Sequence, residues 1–154
     1  MRTVKFTLKP YLSEYLQKRY PAAEPGLVKL PPSSPLYDLL LMSMRGDAME
    51  PSEDWNLEVI LPNPSPKSGC RRPRCNYGLS RHARSKVSSA VYVMYWSDCH
   101  RYMERRIHVY GDRIIDAAAS FINEYELTLS TEDAILKNYQ RWRMRKKERK
   151  QSLK

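Results

Sequence analysis

The placement of proline is the feature that most constrains how this chain folds. All eleven prolines lie at or before Pro73, and none follows it. Proline lacks a backbone donor and interrupts helices and inner strands. The first half is therefore predicted to form short elements, whereas the second half is free to form long helices. A chain of 154 residues has room for one domain, or for one domain with an appended module.

Strands and helices are predicted to alternate in residues 1–66. The segment "VKFTL" places Val4, Phe6 and Leu8 on one face, and "GLVKL" and "NLEVIL" show similar strand patterns. Between them, "PYLSEYLQKRY" and "PLYDLLLMS" have apolar residues at helical spacing, and Ser34 is placed to cap the second helix. The predicted order is β-α-β-α-β.

Three helices are predicted in the second half. The first runs from about residue 80 to residue 110, Gly111 ends it, and Asp112 caps the next helix, which covers "RIIDAAASFINEYEL". The third helix begins at "STEDAIL", where Ser130 and Asp133 approximate a capping box. The predicted buried positions of the middle helix are Ile114, Ile115, Ala118, Phe121, Ile122 and Tyr125.

These elements predict an α+β fold. A small three-stranded sheet with two short helices occupies residues 1–66, and a basic linker rich in proline and arginine follows at 67–79. Residues 80–154 are predicted to form a three-helix, helix-turn-helix-like bundle with a basic terminal helix.

The positive charge is confined to the second half. The net charge is +10. Residues 1–66 hold seven Lys and Arg against eight Asp and Glu, a balance of −1, and residues 67–154 hold twenty against nine, a balance of +11. An excess confined to one region indicates an anionic partner for that region. Nucleic acid is the leading candidate, and an anionic membrane surface is the second.

The last helix is predicted to pack on one face and to bind on the other. At 100° per residue, Ile135, Tyr139 and Trp142 share a core-facing stripe. The other side carries the predicted nucleic-acid contacts Lys137, Asn138, Arg141 and Arg145. Beyond Met144 we expect a frayed extension, whose further contacts would be Lys146, Lys147, Arg149 and Lys150. A solvated helix with a soluble end is the alternative.

A second basic stretch, Lys67–Lys86, holds seven basic residues and no acidic one. A flexible arginine-rich loop entering a helix can grip phosphates or reach a minor groove. The predicted contacts there are Arg71, Arg72, Arg74, Arg81, Arg84 and Lys86. A solvated loop is the alternative.

Two patterns resemble metal sites without completing one. "CRRPRC" contains Cys70 and Cys75, with His82, Cys99 and His100 further along, but a closed zinc site needs four well-placed ligands. We favour reduced cysteines and predict no metal. His100, Glu104 and His108 share one stripe of one helix, a pattern that fits a metal, a pH-sensitive pairing or a solvated face. The solvated face is the interpretation we favour.

Signals for catalysis, cofactors and export are missing from the sequence. There is no Gly-rich phosphate loop, nucleophile elbow or group of carboxylates, so we predict neither an enzyme nor a cofactor. The three cysteines form no even set, no apolar run reaches the length of a membrane span, and "MRTVKFTLKP" lacks an apolar signal core. We expect a cytoplasmic protein with no membrane contact.

The segment "SFINEYELTLSTEDAILKNYQRWR" resembles the C-terminal part of small DNA-binding-like proteins of transposable phages and mobile elements in gut bacteria. "YGLSRHARSKVSSAVYVMYWSDCHRYM" and "VKFTLKPYLSEYL" resemble the same group. The resemblance implies a DNA-associated role in a prokaryotic or phage cytoplasm, and it assigns no residue a role.

The sequence thus predicts a non-enzymatic DNA-binding protein, for example a regulator or accessory factor of a phage or mobile element. DNA is favoured over RNA as the partner. The alternative is a structural or interaction protein whose basic tail binds RNA or an acidic protein.

Overall fold

The computed structural model describes residues 3–44, 54–60 and 79–153, which form an α+β fold of three strands and five helices. The predicted β-α-β-α-β order followed by three helices is confirmed. The elements are β1 (Thr3–Phe6), α1 (Pro10–Arg19), β2 (Leu27–Val28), α2 (Pro35–Ser43), β3 (Leu57–Ile60), α3 (Arg81–His108), α4 (Ile114–Glu124) and α5 (Glu132–Ser152). By packing, the chain divides into unit 1, Met1–Met94, and unit 2, Tyr95–Lys154.

The sheet of unit 1 has the strand order β1-β3-β2. β3 lies in the centre, antiparallel to β1 with Val59 opposite Val4, and parallel to β2 with Val59 opposite Val28. Leu57 and Val59 are buried and their neighbours are not, so β3 has the period-two burial that its sequence predicts. Leu61, the last apolar residue of the predicted strand, lies outside the described residues.

Asn56 joins the start of β3 to the chain beyond β1. Its side-chain nitrogen donates to the Leu8 carbonyl at 2.7 Å, and its Oδ1 accepts from the Leu8 amide at 3.0 Å. The Asn56 carbonyl accepts from the buried Ser13 hydroxyl at 2.8 Å. A single asparagine thereby satisfies both backbone groups of Leu8 where the β-ladder ends.

The two short helices of unit 1 begin as predicted. Pro10 starts α1, which buries Leu12 and Leu16 against the sheet side of the unit. The Ser34 side chain accepts from the Leu36 amide at 3.2 Å, which confirms it as the cap of α2.

The long helix α3 buries every fourth residue, namely Ala83, Val87, Val91, Tyr95, Cys99 and Met103. The spacing of the sequence predicts this stripe and leaves three choices open, Met94 or Tyr95, Asp98 or Cys99, and Tyr102 or Met103. The buried members are Tyr95, Cys99 and Met103. The first part of α3, up to Met94, packs within unit 1, and the remainder belongs to unit 2. The packing division thus falls inside the helix, and the predicted boundaries of 1–66, 67–79 and 80–154 stay predictions.

The turn between α3 and α4 differs in part from its prediction. Gly111 has a φ of +74°, which confirms a left-handed stop. Asp112 does not cap α4, because its carboxylate pairs with Arg106 at 2.6 Å and Arg113 takes the cap position. The predicted burial of Ile115 is also wrong, because its side chain is 59% exposed. The buried residues of α4 are Ala117, Ala118 and Phe121.

The start and the end of α5 both correct the sequence-based prediction. Thr131 is the cap, accepting from the Ala134 amide at 3.2 Å, because the Ser130 hydroxyl is bonded to Tyr95 at 2.9 Å instead. The predicted capping box is therefore wrong. The expected frayed extension beyond Met144 is wrong as well, because α5 continues as a helix to Ser152.

Candidate nucleic-acid interface

The first half of α5 is fixed by buried aromatic and aliphatic side chains. Ile135 is 1% exposed and Tyr139 is fully buried. Trp142 is half-buried and stacks on His100 of α3, with ring centroids 4.5 Å apart and planes at 22°. The predicted stripe of Ile135, Tyr139 and Trp142 is confirmed as the packed face of the helix.

Glu104 of α3 is the main polar contact of α5. Its carboxylate accepts from the Tyr139 hydroxyl at 2.6 Å and from Lys146 Nζ at 3.4 Å, and His108 lies at 3.6 Å. Burial raises the pKa of Glu104, but the Tyr139 hydrogen bond and the charges of Lys146 and His108 together hold it below its ordinary value. Burial and the neighbouring Glu104 carboxylate both raise the pKa of Tyr139. Glu104 is therefore an anion that holds two turns of α5.

His100 and Asn138 form a second polar contact between the same helices. His100 Nε2 lies 2.7 Å from Asn138 Oδ1. Burial lowers the pKa of His100, and the charge of Arg145 lowers it further, against the opposing effects of Asn138 and Glu104. The predicted solvated face is thus wrong for His100 and Glu104, which lie in a helix–helix contact. Asparagine side chains can pair with adenine edges, but the amide oxygen of Asn138, a predicted nucleic-acid contact, is already bonded to His100.

The exposed side of α5 carries the predicted arginines. Lys137, Arg141 and Arg145 are exposed at intervals of four residues. Lys137 pairs with Asp133 at 2.8 Å, between two exposed side chains. Arg141 and Arg145 have no ion pair in residues 3–44, 54–60 and 79–153. These two guanidinium groups are available to an anionic ligand.

The segment of α5 from Arg141 to Lys150 is strongly positive. The ten residues Arg141–Lys150 contain seven basic residues and one acidic residue, Glu148, a balance of +6 over about 15 Å of helix. The basic residues are Arg141, Arg143, Arg145, Lys146, Lys147, Arg149 and Lys150. All are exposed except Arg143, which is half-exposed and lies 5.7 Å from the Tyr139 ring centre. At 100° per residue these charges cover about two thirds of the helix circumference, and the remaining sector holds Met144, Glu148 and Gln151.

The basic residues at the start of α3 belong to unit 1 and differ from one another. Arg81 and Lys86 are exposed. Arg84 is turned inward, where it donates to the Lys5 carbonyl and, at 3.3 Å, to the Leu79 carbonyl. Because its donors are used inside unit 1, the predicted phosphate contact of Arg84 is replaced by a structural role. The remaining predicted contacts, Arg71, Arg72 and Arg74, lie outside the described residues.

Packing accounts for part of the pattern of cysteines and histidines that resembles a metal site. Cys99 is fully buried, and burial raises the pKa of its thiol to about 12, so it remains a neutral core side chain. Within the described ranges, no group of three or more His, Cys, Asp or Glu side chains is placed to hold a metal ion. Cys70 and Cys75 lie outside those ranges. Tyr95 is a core residue, whereas Tyr92 is 42% exposed.

Glu104 was visible in the sequence, but its role was not. Its four-residue spacing placed it on the same helix stripe as His100. A signal for its role was available, because a buried tyrosine hydroxyl such as that of Tyr139 requires a hydrogen-bond acceptor, which Glu104 supplies. Among the described helices, none has the length and apolar content needed to cross a membrane.

No protein-family model, curated protein or solved structure matches the chain.

Proposed function

We propose that this chain is a non-enzymatic DNA-binding protein that grips phosphates with α5. One observation supports the proposal above all others: Arg141–Lys150 places seven basic residues and one acidic residue on an exposed helix whose preceding turns are held by packing. Neutralising several phosphates releases the condensed counterions of the nucleic acid, which is the main source of backbone affinity. The sequence resemblance extends the proposal to a regulator or accessory factor of a phage or mobile element.

The charge pattern of α5 favours binding over a purely solvated role. Like charges four residues apart repel on a helix by a few tenths of a kcal/mol for each pair. The segment Arg141–Lys150 contains four such pairs, 141–145, 143–147, 145–149 and 146–150. A polyanion relieves all four at once.

A membrane-surface role is less well supported. Helices that lie in the bilayer interface need an apolar face opposite their cationic face. Beyond Trp142, the large exposed apolar side chains of the described residues are Met144 within α5 and Leu153 just after it, nine residues apart. The exposed part of the helix offers a phosphate backbone many partners and offers acyl chains very few.

The test is binding of labelled duplex and single-stranded DNA, measured by fluorescence anisotropy between about 50 and 200 mM salt. With six to eight phosphates neutralised, we expect a log–log salt slope of about −5 to −7. A chain truncated after Trp142 should lose at least about 100-fold in affinity, because it retains few of these contacts. The truncated chain should also keep its cooperative unfolding, since its buried contacts remain.

Two results would reject the proposal. One is the absence of duplex or single-strand binding by the full chain at low salt, which would favour an acidic protein as the partner. The other is a truncated chain that binds as tightly as the full one. The control for loss of positive charge elsewhere on the chain is K9Q/K29Q, which neutralises two exposed lysines of unit 1.

A further inference from the structure

α3 and α5 run parallel in unit 2. The side-chain contacts Tyr95–Ser130 at 2.9 Å, His100–Asn138 at 2.7 Å and Glu104–Lys146 at 3.4 Å follow the same order along both helices. Parallel neighbours keep matching flanks over several turns, so residues beside this contact line form a continuous two-helix face.

Arginines of both helices lie on one side of that line. On α3, Arg101 and Arg105 each follow a contact residue, which turns them about 100° onto the flank. On α5, Arg141 and Arg145 lie about 60° and 20° beyond Asn138, on the flank that this residue borders. In a pair of parallel helices viewed along their axes, residues displaced from the contact line by a positive angle on one helix lie on the same side of the pair as residues displaced by a negative angle on the other helix. Arg145 also lowers the pKa of His100, which places its charge beside that ring.

We propose that Arg101 and Arg105 of α3 form a second phosphate-binding row beside Arg141 and Arg145 of α5. The polyanion then lies across both helices. This inference rests on the proposed function, and it adds a site that lies in neither basic stretch of the sequence.

The local pairing pattern separates these two arginines from their neighbours. Arg106 pairs with Asp112 at 2.6 Å, and Arg113 pairs with Asp116 at 2.8 Å. Arg101 and Arg105 are exposed and have no carboxylate partner in the described part of the chain. Arg105 contacts Tyr110, whose hydroxyl lies 3.5 Å away, at the limit of a hydrogen bond, and whose ring centre lies 5.8 Å from the guanidinium carbon. The chain thus neutralises two nearby arginines internally and leaves this pair open.

The groups between the rows favour the backbone of a duplex. His100 and Trp142 stack on each other, and Asn138 Oδ1 is bonded to His100. Single-strand binding relies on open aromatic faces, and base reading relies on free amides, and here these groups are already used. The open groups are arginines four residues apart on each helix, about 6 Å along the helix axis. Such a face contacts phosphates regardless of sequence.

The experiment compares the double variants R101Q/R105Q, R141Q/R145Q and K9Q/K29Q in the full chain. The probe is a 20-base-pair duplex, with a shuffled duplex and a matching single strand beside it. We expect each face variant to lower duplex affinity by roughly tenfold at 0.1 M salt and to flatten the salt slope by about 1.8, the loss of two phosphate contacts. R101K/R105K should keep most of the slope, and K9Q/K29Q should keep all of it.

The outcomes separate this inference from the proposed function. If R101Q/R105Q binds like K9Q/K29Q while R141Q/R145Q is weakened, the second row is overturned and binding by α5 stands. If the wild-type chain binds no DNA, the proposed function fails first. A preference for the single strand, or a more than tenfold preference between the two duplexes, would overturn the inference that this face binds the phosphate backbone of a duplex regardless of its sequence. The far-UV circular dichroism and Tm of each variant confirm that folding is unchanged.

Discussion

The two halves of α5 have the same secondary structure and opposite surroundings. From Glu132 to Trp142 the helix packs through Ile135 and Tyr139, both essentially inaccessible to solvent. From Arg143 to Ser152 every residue except Arg143 is exposed. The first half therefore sets where the helix lies, and the second half sets its charge. Substitutions of the packed residues in the first half should alter stability, and substitutions of the exposed basic residues, Arg141 included, should alter binding.

The comparison also shows why the second half is helical without a packed face. Six of the last ten residues, 143–152, are basic, and repulsion among them opposes the helix. Helix formation is cooperative, however, and extending an existing helix is far easier than nucleating one. The packed first half supplies the nucleus, so the charged half can continue from it.

The largest expected effect is at Tyr139. Replacing this fully buried side chain with alanine should lower the free energy of unfolding by about 3–5 kcal/mol, because a large core residue is lost and Glu104 loses its donor. Y139F keeps the ring and removes only the hydroxyl, so about 1–2 kcal/mol should be lost. Chemical denaturation followed by circular dichroism measures both values.

The control for this prediction is K147Q, which alters an exposed side chain of the second half and should change stability very little. A Y139A variant within about 1 kcal/mol of wild type would break the division between the two halves. The same result from Y139F alone would show only that the hydrogen bond to Glu104 is weak.

Acid should weaken the packed half in two steps. The pKa of His100 is lower in the folded state than its ordinary 6.5, so below that pH the unfolded chain binds a proton that the folded chain does not. Stability therefore falls as the pH drops below about 6.5. The pKa of Glu104 is also lower than its ordinary 4.5, so its contribution is present above that value and is lost as the pH falls through the folded pKa.

The measurement is the free energy of unfolding from pH 8 to pH 4 for wild type, H100Q and K147Q. H100Q should lose the upper step, because glutamine does not titrate but can still bond to Asn138. K147Q should keep it. Equal upper steps in wild type and H100Q would mean that another group is responsible.

Much of the fold was predictable because local patterns determine it. Ser34 caps α2, and the four-residue spacing from Ala83 marks the buried stripe of α3, as the sequence indicated. Errors arose where a distant partner decided the outcome. Ser130 is the better local cap candidate, but its hydroxyl is used by Tyr95, 35 residues away, and the cap moves to Thr131.

The candidate site was predictable in its charge and not in its geometry. The sequence identified Arg141 and Arg145 by their spacing, and both are exposed as expected. It gave no reason to include Arg101 in the proposed face, because that proposal depends on α3 and α5 running parallel. Asn138 shows the reverse case, since a residue suited to reading bases is bonded to His100.

The smallest predicted effect concerns Lys146 and Lys147, adjacent lysines of the charged half. Lys146 lies 3.4 Å from Glu104 and 4.8 Å from the Trp142 ring centre, so it belongs partly to the packed half, whereas Lys147 has no such contact among the described residues. K146Q should lower stability by about 0.5 kcal/mol, in the range of exposed ion pairs, and K147Q by less.

In DNA binding the order of the two variants should reverse. K147Q should flatten the salt slope by about 0.9, the value of one phosphate contact, and K146Q by less, because Glu104 already neutralises part of the Lys146 charge. Denaturation and salt-dependent anisotropy on both variants measure the two orders, and identical behaviour in both assays would show that Lys146 is not held by Glu104 in solution.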